Sequence, residues 1–105
     1  MIRWRPFHYA CQNGRLEIVE YLVGQGCDKE AQDMSGGNGI STATRFRRLE
    51  VLKYLVEQGC DIRRNDEKGM LPIHFACRYG FLEIVKYFLE IGLTGNEMKP
   101  TMYVA

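Results

Sequence analysis

Four cysteines, two histidines and two aspartates are the residues of this chain whose types and spacing could do chemistry. His8 and His74 each stand three residues before a cysteine, Cys11 and Cys77, and either histidine could act as the base of a nucleophilic triad. The same residues could seed a zinc site, but zinc needs about four converging ligands and no Cys-x₂₋₄-Cys pair starts one. Asp33 and Asp66 invite the reading of a general acid/base pair. Gly37-x-Gly39 could open a phosphate-cradling loop. It lacks the third glycine of Gly-x-Gly-x-x-Gly, no Gly-Lys-Ser/Thr follows, and no apolar strand precedes it.

The spacing of these candidates argues for a different origin. Asp33 and Asp66 are 33 residues apart, as are Cys27 and Cys60, and the two His-Cys groups stand two such periods apart. The period runs through the whole chain. Leu16-Glu17-Ile18-Val19 recurs as Leu49-Glu50-Val51-Leu52 and Leu82-Glu83-Ile84-Val85; Tyr21, Tyr54 and Tyr87, Gly26, Gly59 and Gly92, and Ala10, Ala43 and Ala76 follow the same offset. A unit this short cannot bury an apolar face alone, so the copies must stack into one continuous core. Equivalent positions on packed neighbouring helices lie roughly 8–10 Å apart, beyond the ~7 Å Cα reach of a disulfide. The cysteines therefore read as small buried hydrophobes in a reducing compartment. Asp33 and Asp66 read as turn formers. No constellation requires catalysis, and neither a metal nor a cofactor is expected.

Within each unit, two short helical patterns are joined by a polar link. Phe7 to Asn13 ends at Gly14, suited to a left-handed helix cap. Leu16, Val19, Leu22 and Val23 then form an apolar face at helical spacing, ended by Gly26. Pro6 and Pro72 fall in a first helical turn, where the missing N–H costs nothing. The chain is expected to be one domain, with units at about 4–33, 34–66 and 67–99 and a tail at 100–105. No run of about 18 apolar residues spans a bilayer, and the first residues lack the apolar region of a signal peptide. A cytoplasmic location is expected, with the nucleus also open to it.

These residues resemble the ankyrin-repeat family. Its Thr-Pro-Leu-His-x-Ala signature reads here as Arg5-Pro6-Phe7-His8-Tyr9-Ala10 and Leu71-Pro72-Ile73-His74-Phe75-Ala76. Its Gly-Ala-Asp appears as Gly26-Cys27-Asp28 and Gly59-Cys60-Asp61, and its Asp-x-x-Gly turn as Asp33-Met34-Ser35-Gly36 and Asp66-Glu67-Lys68-Gly69. The resemblance covers residues 4 to 93. It implies an all-α-dominated solenoid of stacked helix-turn-helix units with β-hairpin finger loops. First helices would line a concave face, second helices the convex back, and His8 and His74 would bond loop backbone groups. Pro6, His8, Pro72, His74, Gly26, Gly59 and Gly92 are then structural.

The middle unit departs from the pattern. It has Asn38-Gly39-Ile40-Ser41 where its neighbours carry Pro and His, and Arg47 replaces the inter-helix Gly14 and Gly80. A non-glycine residue in a left-handed conformation costs on the order of 1 kcal/mol, and the glycine-rich run at 35–39 raises the entropy lost on ordering. The middle unit's first helix and finger are therefore expected to be the softest part of the chain. The last unit keeps Phe81, Phe88 and Ile91 apolar, which suggests either a longer array or a cap formed by residues 94–105.

The resemblance implies a non-catalytic module that binds a protein partner through finger tips and the exposed side of first helices. The residues so placed are Trp4, Gln12, Asn13, Met34, Ser35, Gly37, Arg45, Phe46, Glu67, Lys68, Met70, Arg78 and Tyr79. Recurrence of Arg45-Phe46 as Arg78-Tyr79 makes Phe46 and Tyr79 the expected hot spots. Finger and first-helix segments hold eight basic residues against Glu67 alone, a charge of +7, leaving −6 on the rest of a chain whose net charge is +1. A basic face would favour an acidic protein surface. The alternatives are nucleic acid or another anion held by Arg45, Arg47, Arg48 and Arg78, or a repeat segment of a larger protein or enzyme. Neither a membrane nor a small-molecule substrate is expected as partner.

Overall fold

In the computed structural model, residues 5–93 are described, Arg5 by its backbone alone. Among them are six helices in three antiparallel pairs: α1 (Arg5–Gln12) with α2 (Leu16–Gly24), α3 (Gly39–Arg45) with α4 (Leu49–Glu57), and α5 (Pro72–Tyr79) with α6 (Leu82–Glu90). First helices stack as α1 on α3 on α5, and α2 packs on α4. Pro72 opens α5 at its first position and Pro6 lies in the first turn of α1.

One backbone device closes every helix pair. Arg15 N–H donates to Ala10 O at 2.9 Å, Arg48 to Ala43 O at 2.8 Å and Phe81 to Ala76 O at 2.9 Å. Each bond wraps a residue with positive φ: Gly14 at 72°, Arg47 at 60° and Gly80 at 75°. This is the hydrogen-bond pattern of a left-handed helix stop. Ala10, Ala43 and Ala76 are buried beside it, where a small side chain lets the helices approach. Second helices end alike, with Gly26, Gly59 and Gly92 left-handed. Arg47 is the one non-glycine residue with positive φ among the described residues. Its guanidinium lies over the Phe81 ring at 4.9 Å, an attraction of about 0.5–1 kcal/mol that offsets most of the backbone strain.

One expectation is corrected here. The fingers are hydrogen-bonded turns and no strand occurs among the described residues. Each finger is closed by two backbone bonds, Asp33 N to Gly37 O at 2.8 Å with Gly36 N to Asp33 O at 3.1 Å, and Asp66 N to Met70 O at 2.9 Å with Gly69 N to Asp66 O at 3.0 Å, and the two tips share one more, Glu67 N to Ser35 O at 2.8 Å. Arms that short cannot propagate a ladder. Against the softness expected of the middle unit stands the burial of its first helix. Six of the seven residues of α3 are buried, and Asn38 caps it with Ser41 in a reciprocal capping box. Asp33 ties the finger to this helix, accepting from Ser35 N, Ser35 Oγ and Gly37 N through Oδ1 and from Thr42 Oγ1 through Oδ2. The glycines that suggested softness serve close packing. A Cβ on Gly39 would stand 2.8 Å from the Phe7 ring, and one on Gly37 would overlap Ser41. The helix does carry one uncompensated group, the buried Thr44 hydroxyl, which has no partner.

His8 Nε2 donates to Ala31 O at 3.1 Å, bracing the loop that leads into the middle finger, a loop-backbone bond of the kind the resemblance implied. Ser41 does not reach so far. Instead Asn38 Nδ2 donates to Asp61 O at 2.8 Å, spanning the same 23 residues along the chain from three positions earlier.

Neighbour repeats decide which equivalent positions are covered. Ile18 is 51% exposed, whereas Val51 and Ile84, one and two repeats on, are 1% and 3% exposed. Cys77 shows the same effect at the other end: Cys11 and Thr44 are buried beneath the following repeat, and Cys77 is exposed. The expectation of four buried cysteines thus holds for Cys11, Cys27 and Cys60 only. Burial pushes the Cys60 thiol up to about 12, with Glu30 adding to it. Loss of solvation likewise raises Cys11 and Cys27. Since the thiolate is the reactive form, an aromatic disulfide reagent should label Cys77 rapidly and the other three only after unfolding. A fast-reacting Cys11 or Cys60 would contradict this packing. The apolar Phe88 and Phe81 are buried and half-buried, Ile91 is exposed, and the expected cap at 94–105 lies outside the described residues.

Candidate functional site

An open groove with a volume of ≈ 630 Å³ runs between the first helices and the fingers. Its floor comes from one helical face. Tyr9 and Gln12 of α1 are three residues apart, as are Thr42 and Arg45 of α3, so each pair shares a stripe; Phe46 continues the α3 stripe at its C-cap. The wall is the middle finger, Gln32 to Ser35, with Glu67 of the next finger closing one side. The 2.7 Å bond between Thr42 Oγ1 and Asp33 Oδ2 pins this wall to the floor. Met34 at the finger tip is 97% exposed and Phe46 43% exposed.

Of the contact residues expected from the sequence, the groove gathers Gln12, Met34, Ser35, Arg45, Phe46 and Glu67. Asn13 is exposed beside it, with Nδ2 donating to Tyr9 O at 2.8 Å. Lys68 is exposed on the third finger, and Arg78 and Tyr79 are exposed on α5. Met70 is half-buried in a separate small crevice with Phe75. Gly37 is a correction: it is buried, because the turn folds it against Ser41. Trp4 lies outside the described residues.

His8, Tyr9, Gln32, Asp33 and Thr42 also line the groove without having been expected there as contacts. For Tyr9 and Thr42 the signal was present, one helical turn before Gln12 and Arg45. Asp33 could not be read as lining, because its turn-forming role and its place in the wall come from the same fold of the finger.

The charge expectation also changes. Among the described residues Arg45 is the only arginine or lysine lining the groove, which it shares with Asp33 and Glu67. Four of the other arginines lie away from the fingers. Arg78 sits in the last turn of α5, and Arg15, Arg47 and Arg48 occupy the inter-helix turns. There they complement the negative ends of first helices, and Arg48 Nε donates to Gln12 O at 2.8 Å. The groove is therefore mixed in charge, and the concave face is basic only towards its turn end. His8 is engaged by the Ala31 carbonyl, and the three buried thiols are held protonated. What the groove offers is an open wall of apolar, amide and hydroxyl groups suited to an extended chain.

No helix among the described residues is long and apolar enough to cross a membrane. None of the curated proteins matches the sequence. The family model for ankyrin repeats, in three copies, matches residues 7–100, and the same three-fold helix pairing and glycine stops seen in the structure run through that span. The chain belongs to the ankyrin-repeat family.

Proposed function

We propose that this chain is a non-catalytic protein-interaction module that receives a segment of a partner protein in the groove between α1, α3 and the middle finger. Ankyrin repeats are generally protein–protein interaction modules. The observation that carries the reading is the anchored groove itself. Its wall is held to its floor, while Met34 and Phe46 present apolar surface that no part of the described chain covers. A preorganised wall of this kind limits the ordering cost of binding. Four unpaired cysteines, one of them exposed, fit work in a reducing intracellular compartment.

The test is a crosslinking pull-down from the native cell, repeated with Met34→Ala and Phe46→Ala. Both side chains are exposed, so truncation should leave the melting temperature within a few degrees of wild type. Loss of a central aromatic contact should weaken partner binding by about 2 kcal/mol, roughly thirtyfold. Equal recovery and affinity in both variants would place the partner elsewhere.

A further inference from the structure

We infer that the C-terminal ends of α3 and α5, with the turns that follow them, form a second binding surface: an arginine–aromatic platform that takes a carboxylate-rich extended peptide. It adjoins the groove through Arg45, which borders both, while Arg47, Arg78 and the three rings lie outside the groove lining. Three rings build it. Phe75 and Tyr79 stack at 4.5 Å between centroids, and Phe81 stands 6.1 Å from the first and 6.3 Å from the second. Each ring carries a guanidinium on its face: Arg45 over Phe75 at 5.2 Å, Arg47 over Phe81 at 4.9 Å and Arg78 over Tyr79 at 5.7 Å. All three arginines are exposed. Among the described residues none of them pairs with a carboxylate; the ion pair found there joins Lys86 and Glu83.

The chemistry follows from that arrangement. A guanidinium stacked on a ring uses its π face and leaves its in-plane N–H fork free. The ring restricts the long side chain, so less freedom is lost when the fork closes on a carboxylate. Stacking does not neutralise the charge. The array therefore holds three cations close together with their donors unspent. Arg47 adds a further sign of purpose. It occupies a left-handed position that is glycine in both other repeats, so the chain tolerates strain at the one residue that places a guanidinium on Phe81.

Phe81 stands just over 6 Å from each of the other two rings, a spacing that suits an extended peptide, whose alternate side chains project from one face about every 6.6 Å. Acidic residues at alternate positions would meet neighbouring forks. The remainder of the chain is acidic, and the net charge is only +1. That balance disfavours a long polyanion, whose binding grows with the number of phosphates neutralised, and favours a short acidic segment.

The probe is a fluorescein-labelled peptide with glutamate at alternate positions, read by anisotropy, beside its glutamine counterpart and a single-stranded oligouridylate of equal charge. The glutamate peptide should bind, the glutamine peptide should not, and affinity should fall as salt rises. Arg78→Lys keeps the charge but loses the fork, and should weaken binding about tenfold. Arg47→Gly restores the residue of the neighbouring repeats, so it should fold at least as well as wild type and still lose about tenfold in affinity. Met34→Ala should bind the peptide as wild type does. Equal binding of the glutamine peptide, or wild-type affinity in both arginine variants, would overturn the inference. Tighter binding of the oligouridylate would overturn it in favour of a nucleic-acid surface.

Discussion

Replacing Asn38 with alanine should destabilise the protein by about 3 kcal/mol or more, lowering its melting temperature by over about 10 °C. The side chain is fully buried and uses every hydrogen-bonding site it has. Its oxygen accepts from Ile40 N at 3.1 Å and Ser41 N at 3.2 Å, capping α3, and its amide nitrogen donates to Glu30 Oε1 and to Asp61 O, each at 2.8 Å. One residue thus starts a helix and ties it to the loops before and after. Losing a cap alone costs about 0.5–2 kcal/mol, and each partner left buried and unsatisfied adds about 1–3.

Asn38→Asp separates the two jobs. Aspartate caps as well as asparagine, but it cannot donate to Asp61 O and would set its charge against Glu30. If Asp were as stable as Asn, the inter-repeat brace would be unimportant. Amide hydrogen exchange supplies the companion measurement. In the wild type, α3 should exchange more slowly than α1 or α5, and Asn38→Ala should reverse that order. Wild-type exchange faster at 40–47 than at 7–13 or 73–79 would restore the opposite view of the middle unit.

Gly37→Ala and Gly24→Ala should change stability with opposite signs. A Cβ on Gly37 would overlap the Cβ and Oγ of Ser41, neither of which can move without breaking the capping box. Overpacking of this kind costs about 1–3 kcal/mol, and loss of the Ser41 Oγ bond from Asn38 N adds to it. Gly24 ends α2, and a Cβ there meets nothing within 4 Å. Alanine at that position removes unfolded-state freedom and should stabilise by up to about 1 kcal/mol. Urea midpoints on the two variants decide the matter. If Gly37→Ala were neutral, the finger would have to re-form without its contact on Ser41.

How much of this was legible beforehand differs from residue to residue. The helix pairs, their glycine stops and the left-handed Arg47 follow from a period that local chain chemistry enforces. His8 as a brace came from the same pattern, by resemblance. Asn38 was visible as a departure and was read as a weakness, because its partners at Glu30 and Asp61 are distant in sequence and close only after stacking. The glycines at 36–39 were read as freedom for the same reason: glycine signals freedom along the chain and close approach across it, and only the neighbour distinguishes the two.

The candidate site divides in a similar way. Gln12 and Arg45 hold equivalent places one repeat apart on α1 and α3, and Phe46 follows Arg45, so their common place on the groove could be foreseen from spacing. The burial of Gly37, the exposure of Cys77 and the place of Arg45 between the groove and the arginine platform could not. Sequence by itself determined the unit: its two helices, its stops, its turn-forming aspartates and its membership of a stacked array. The tertiary structure alone decided which copies of a position are covered and where the charges gather. Backbone geometry is a local property that each 33-residue unit carries within itself. Burial and charge proximity belong to the contacts between units, and equivalent residues differ there because their neighbours do.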